Sequence, residues 1–98
     1  MKNLNHDLSP LYQFTDFSCE ISINSPKLCS TYVFTDFFFT TMDSDNKWLT
    51  LGDNENRDVY VDIYLDEIVQ IEELSGCDLV EIKLSDGSLI DICRLNGE

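Results

Sequence analysis

Apolar and polar residues alternate most regularly between residues 58 and 95. Side chains of a strand point alternately to its two sides, so one face of this stretch is apolar and the other carries tyrosines and aspartates. The apolar positions are Val59, Val61, Ile63 and Leu65. Two further alternating runs flank the sequence SDGS at residues 85–88, which is typical of a tight hairpin turn. The pattern predicts an antiparallel meander around which the rest of the chain folds.

Residues 65–74 fit two structures. As a strand, Val69 and Ile71 stay in phase with Ile63 and Leu65. As a helix, Leu65, Ile68 and Val69 share one face, and the two acids after Leu65 suit the positive end of the helix dipole. The β-branched content and the nearby hairpin favour the strand, with one short helix as the alternative.

Extended patterns continue in the N-terminal half. Residues 17–23 alternate between apolar and polar, which predicts a half-buried strand. The hexapeptide YQFTDF at residues 12–17 returns as YVFTDF at residues 32–37, and we interpret the two copies as similar neighbouring strands. Three phenylalanines at residues 37–39 place bulk on both faces of their strand, as a central strand or a dimer interface would.

A chain of 98 residues, 43% of them apolar, is long enough for one domain with a modest core. We expect a mainly β fold, a small single-domain antiparallel sheet or meander of about five to seven strands. An α+β arrangement with one short helix is the alternative. The domain spans residues 11–98, and residues 1–10 form a flexible N-terminal segment.

The acidic charge narrows the range of partners. Nineteen acidic residues against six basic ones give a net charge of −13. A field of that sign repels phosphate groups, so we expect no direct binding to nucleic acid or to an anionic membrane. No apolar run approaches the ~20 residues of a membrane-spanning helix. A basic protein is the expected partner, and acidity that only keeps the chain soluble is the plain alternative.

Nothing in the sequence indicates catalysis or a bound cofactor. The four cysteines lack metal-binding spacing, and residues 1–10 lack the apolar segment of an export signal, so we expect free thiols in a cytoplasmic protein. Cys19 and Cys93 lie at apolar-phase positions and are predicted to be buried. The single histidine, His6, has no recognisable catalytic partner, and no nucleotide-binding or hydrolase motif is present. We therefore predict no enzyme activity, no cofactor and no metal.

Acidic and tyrosine side chains cluster around the first run of the meander. On a regular strand every fourth residue lies ~13–14 Å apart, so Asp58, Asp62 and Asp66 would form a carboxylate row able to engage arginines and lysines. The acids Glu72, Glu73, Asp78 and Glu81 would extend this ridge if the sheet curves. The predicted partner-binding residues are Asp43, Asp45, Asp53, Glu55, Asp58, Tyr60, Asp62, Tyr64, Asp66 and Glu67.

In size and charge the chain resembles the phage-encoded inhibitors of restriction and CRISPR nucleases. That resemblance implies an inhibitor that acts in the host cytoplasm on a basic nuclease or nucleic-acid-guided complex, by mimicry of nucleic acid. Two alternatives stay open: a toxin-neutralising immunity protein or antitoxin, and a structural module whose copies join as homodimers or larger assemblies. The run LDEIVQIEE…LVEIKLSDGSLIDI also resembles the meander of LytTR-type modules. Those DNA binders are expected to carry basic surfaces, so their role does not transfer.

Overall fold

A computed structural model describes residues 8–41, 47–74 and 79–95. In these residues the chain forms eight strands and two short 3-10 helices, Ser9–Phe14 and Leu65–Glu67. The strands are β1 (Cys19–Asn24), β2 (Cys29–Phe34), β3 (Phe37–Thr40), β4 (Trp48–Asp53), β5 (Tyr60–Tyr64), β6 (Ile68–Leu74), β7 (Leu79–Leu84) and β8 (Leu89–Arg94). The predicted mainly β class is confirmed, with one strand more than the upper end of the predicted range.

The strands form two antiparallel sheets rather than one. The larger sheet has the order β2-β1-β8-β7-β6, and the smaller sheet has the order β3-β4-β5. Strands β6, β7 and β8 form the predicted meander, whereas β5 pairs with β4 in the smaller sheet. The second 3-10 helix carries the chain from one sheet to the other, and Leu65 and Ile68 are buried at this crossing.

Residues 68–74 form a strand, as the β-branched content predicted. Of the alternative helix over residues 65–74, only the three residues 65–67 are helical, as a 3-10 turn. The strand has an irregularity that alternation alone does not show. Ile68 pairs with Leu84 and Gln70 pairs with Lys83, so Val69 is an extra residue in a bulge. Val69 is therefore 54% exposed, and the prediction that it continues the apolar phase is wrong.

The inner faces of both sheets contribute to a single core, which makes the described chain one domain. Each fully buried leucine, isoleucine or phenylalanine stabilises the fold by roughly 1.5–3 kcal/mol relative to an exposed one. The buried residues are Leu11, Phe14, Cys19, Ile21, Phe34, Phe37, Leu49, Leu51, Ile63, Leu65, Ile68, Val80, Ile82, Ile90 and Ile92. The predicted boundary at residue 11 lies inside the first 3-10 helix, which starts at Ser9; residues 1–7 lie outside the described residues.

The two copies of the repeated hexapeptide adopt different structures, so the prediction of two similar strands is wrong. Residues 12–14 of the first copy lie in the 3-10 helix, where Pro10 favours a helical start and Leu11 and Phe14, three residues apart, are both fully buried. Residues 32–34 of the second copy form the last part of β2, which pairs with β1, and Phe37 begins β3. The copies also contact each other: the Asp16 N–H donates to the Phe37 carbonyl at 3.0 Å.

The predicted hairpin turn at residues 85–88 joins β7 to β8. The Leu84 N–H donates to the Ser88 carbonyl at 2.9 Å, and Gly87 has a φ of 92°, which glycine adopts without strain. The hydroxyl and backbone N–H of Ser88 donate to the Asp86 carboxylate and hold the pKa of that carboxyl below 3.8. The turn fixes the β7–β8 register, on which the alignment of side chains across the larger sheet depends.

Candidate protein-binding surfaces

Three of the predicted binding residues, Tyr60, Asp62 and Tyr64, lie on the outer face of the smaller sheet. Asp58 precedes β5 and Asp66 lies in the 3-10 helix after it, so one strand does not hold the predicted row of three aspartates at regular spacing. Strand β5 is only five residues long because the chain turns towards the larger sheet after Tyr64. The remaining predicted acids fall into three groups: exposed Glu55 and Glu67, buried Asp53, and Asp43 and Asp45, which lie outside the described residues.

Asp53 is a structural carboxylate that is bound within the fold, unlike the exposed acids of the predicted surface. Its side chain is 2% exposed. One oxygen accepts hydrogen bonds from the N–H groups of Asp36 at 3.1 Å and Glu55 at 2.9 Å, and the other accepts from the Thr35 N–H at 2.9 Å. Burial raises the pKa of Asp53, but these backbone donors and the Thr35 hydroxyl outweigh it and lower the pKa below 3.8.

Aromatic rings cover much of the outer face of the smaller sheet. Trp48 and Tyr64 are directly opposite each other, with ring centroids 5.1 Å apart. The Phe38 ring lies over Gly52, where an added Cβ would meet it at 2.6 Å, so glycine is needed for this close packing. Tyr60 is 59% exposed beside them. Exposed tyrosine and tryptophan are the residues that most often anchor protein interfaces.

A cavity of about 440 Å³ opens on the same face, between the aromatic rings and the loop that follows β4. That volume falls within the range of small-molecule and side-chain pockets. Arg57 is the only basic residue among the lining residues, which are Phe38, Thr50, Gly52, Asp53, Asn54, Arg57, Val59 and Tyr60. Apolar surface predominates in the lining of the cavity, which suits an inserted side chain of a partner protein.

The outer face of the larger sheet carries an acidic row. Glu72 on β6 is directly opposite Glu81 on β7, and Glu81 is directly opposite Asp91 on β8. Neighbouring strands lie about 4.8 Å apart, so three carboxyl-bearing positions follow one another across three strands. Like charges directly opposite each other destabilise a sheet. The acidic row is therefore costly to the fold.

No hydrogen bond or ion pair within the described residues compensates the acidic row. Glu72 and Glu81 make no hydrogen bond or ion pair there, and one carboxylate oxygen of Asp91 is buried without a partner. Glu20 lies on the same face, opposite Cys93 and diagonal to Asp91. The sequence indicated Glu72 and Glu81 as part of an acidic ridge but missed Asp91 and Glu20, because their alignment depends on the pairing of strands distant in sequence.

The three cysteines of the described residues, Cys19, Cys29 and Cys93, are free thiols. Cys19 lies in the core, as predicted, and burial raises its pKa to about 12, which keeps the thiol protonated. Cys93 is half-buried on the outer face, so the prediction that it is buried holds only in part, and Cys29 is exposed. Cys77 lies outside the described residues. Within those residues no three histidine, cysteine or acidic side chains are placed to hold a metal ion.

Comparison with family models, with curated proteins and with solved structures found no match for this chain. In the part of the chain that the structure describes, no helix is long and apolar enough to cross a membrane.

Proposed function

We propose that the chain is a non-enzymatic protein that binds and inhibits a basic nucleic-acid-processing enzyme. The acidic row Glu72–Glu81–Asp91 would occupy the positions that phosphates take in the enzyme's channel. The observation that carries the proposal is the direct opposition of these three acids across three adjacent strands. A net charge of −13 would speed association with a basic surface and disfavour acidic partners.

The spacing of the row suits a surface built to bind nucleic acid. Its acids follow one another at about 4.8 Å across the strands, so the row is a line of closely spaced negative charges, as is each DNA strand with one phosphate per ~3.4 Å of helix axis. Arginine and lysine side chains that grip phosphates would make charge-assisted hydrogen bonds of the same kind to these carboxylates. Among the described residues neither the Glu72 nor the Glu81 carboxylate has a hydrogen-bond or ion-pair partner, so both can accept such bonds.

The neighbouring positions on the same strands show that the sheet does not require this arrangement. Two residues before Glu72 on β6 and two after Glu81 on β7, Gln70 and Lys83 are directly opposite each other, and Leu89 follows on β8. Neutral and basic residues are thus accommodated at equivalent positions of the same face. Each opposed pair in the acidic row costs roughly 0.2–1 kcal/mol, a cost that binding to a cationic partner would offset.

The aromatic face of the smaller sheet supplies a second contact in this proposal. Tyr60, Asp62 and Tyr64 combine rigid rings with a carboxylate, and exposed acids at Glu55, Asp58, Asp66 and Glu67 surround them. Such a surface fits a protein partner with an apolar side chain for the cavity and a basic rim. A phage-encoded inhibitor of a restriction or CRISPR nuclease, acting in the host cytoplasm, is the class that this combination favours.

The test compares two variants with the same change in charge. The row variant carries Glu72→Gln, Glu81→Gln and Asp91→Asn, and the control carries Asp7→Asn, Asp16→Asn and Glu98→Gln, none of which belongs to either proposed contact. Both are immobilised beside the wild type and exposed to bacterial lysate at low and moderate salt. Captured proteins are identified by mass spectrometry, and each capture is repeated with double-stranded DNA as competitor.

We expect the wild type to retain a basic nucleic-acid enzyme that DNA displaces and that moderate salt weakens. The row variant should lose it, while the control variant keeps most of the binding. Capture of a basic toxin that DNA does not displace would instead support an immunity protein. Equal retention by the wild type and the row variant would overturn the proposed role of the acidic row.

A further inference from the structure

Strand β2 is an exposed sheet edge without the features that normally prevent strands of separate molecules from pairing. Residues 28–35 contain no charged residue, proline or glycine, although 26% of the chain is charged. Leu28 is 71% exposed, Val33 55% and Tyr32 38%. Among the described strands only β1 pairs with β2, so alternate backbone N–H and carbonyl groups along the other side of β2 lack a strand partner there.

The other described sheet edges are each protected. Strand β6 has the bulge at Val69 and two glutamates, Glu72 and Glu73. Strand β5 has Asp62 at its centre, and Asp58 and Asp66 lie two residues beyond its ends. Strand β3 is four residues long, and its first residue, Phe37, already bonds the backbone of the segment after the first 3-10 helix. Natural proteins use these devices to block edge-to-edge association.

We propose that β2 pairs antiparallel with β2 of a second copy of this chain, which makes a ten-stranded sheet across a two-fold axis near Thr31. The charges at the ends of the strand select this occupant. Lys27 precedes the uncharged stretch and Asp36 follows it. Antiparallel pairing about Thr31 brings Lys27 of one copy within one residue of Asp36 in the other copy. The two-fold axis repeats this contact at the other end of the strand pair. Parallel pairing would instead place like charges opposite each other.

This association is independent of the proposed inhibition and responds to salt in the opposite direction. Each copy carries a net charge of −13, so the copies repel at low ionic strength, and salt screens that repulsion. Self-association through β2 should therefore tighten as NaCl is added. Binding of the acidic row to a basic enzyme should weaken under the same change.

The test uses two variants that place the same residue at equally exposed positions on different edges. Val33→Lys adds a cation to β2, diagonal to Lys27 of the second copy, whereas Val69→Lys adds it to β6, where valine is 54% exposed. Far-ultraviolet circular dichroism confirms that both variants fold. Sedimentation equilibrium at several protein and NaCl concentrations then gives the mass and the dimer dissociation constant.

We expect the wild type to sediment at twice the 11.3 kDa mass of one chain. Val33→Lys should raise the dissociation constant by about tenfold or more, and Val69→Lys should leave it unchanged. A wild type that stays monomeric at millimolar concentration would overturn the proposal. An equal effect of the two variants, or no effect of Val33→Lys, would also overturn it.

Discussion

Asp53 on β4 and Asp91 on β8 both hold carboxylate oxygens away from water, but only Asp53 gives all of its oxygens hydrogen-bond partners. Three backbone N–H groups and the Thr35 hydroxyl donate to Asp53. One oxygen of Asp91 is buried without a partner, and the residue is directly opposite Glu81. The same side chain therefore stabilises the fold at one position and destabilises it at the other.

The difference separates acids that the fold needs from acids that it merely tolerates. Asp53 satisfies the backbone donors where β2 turns into β3 and where the loop after β4 begins, so its charge acts within the molecule. The acidic row has no internal partner among the described residues, so its charge can act on another molecule. Replacing the two kinds of acid should change stability in opposite directions.

Removal of the Asp53 carboxylate should have the largest effect. Asp53→Ala leaves three backbone N–H groups without an acceptor at a position that is 2% exposed, and we expect a loss of about 3 kcal/mol in the free energy of unfolding. Urea denaturation measures this loss. Asp62→Ala is the matched control, since exposed Asp62 accepts one hydrogen bond from Thr50 and should lose less than about 1 kcal/mol. Equal losses would contradict a structural role for Asp53.

Acid should selectively remove the contribution of Asp53. Its pKa in the folded chain is below 3.8, so the carboxylate stabilises the fold fully above pH 3.8 and stops doing so as the pH falls through the lower folded value. In Asp53→Asn, either orientation of the amide places its N–H₂ group against a backbone N–H donor. We therefore expect a loss of about 2 kcal/mol in the free energy of unfolding at neutral pH. The gap between the two proteins should narrow below pH 3.8 in denaturation curves. A constant gap would show that Asp53 does not titrate as described.

The sequence predicts the strand that carries Asp91 but misses the surroundings of both Asp53 and Asp91, for a physical reason. Alternation of side chains correctly predicted strands β1, β5, β6, β7 and β8 and the hairpin turn at residues 85–88, but it also predicted a strand at residues 12–17, where a 3-10 helix forms. It placed Asp53 on the surface because the strand pattern does not reveal that Thr35 and Asp36 lie beside it. It missed the contribution of Asp91 because the row exists only when three strands pair in one register. Long-range contacts decide both outcomes, and local pattern does not encode them.

Neutralising one acid of the acidic row should stabilise the chain, by less than the loss expected for Asp53→Ala. Glu81 is opposite an acid on each side, whereas Glu72 is opposite only one, so Glu81→Gln should gain more than Glu72→Gln. We expect about 1 kcal/mol for the first and about 0.5 kcal/mol for the second from urea denaturation at low salt. Glu55→Gln, on the exposed loop, controls for the change in net charge. A loss of stability in Glu81→Gln would contradict uncompensated repulsion in the row.

Salt should reproduce part of that gain without any substitution, as the smallest of the four effects. At about 0.1 M ionic strength the screening length is ~10 Å, which is close to the span of the row from Glu72 to Asp91 at about 4.8 Å per strand. Added NaCl should therefore raise the unfolding free energy of the wild type by a few tenths of a kcal/mol more than that of Glu81→Gln. Measurements at fixed, low protein concentration keep dimer formation from contributing. If the two proteins respond equally to salt, the stabilisation comes from the overall charge of −13, and the acidic row is no more strained than the rest of the surface.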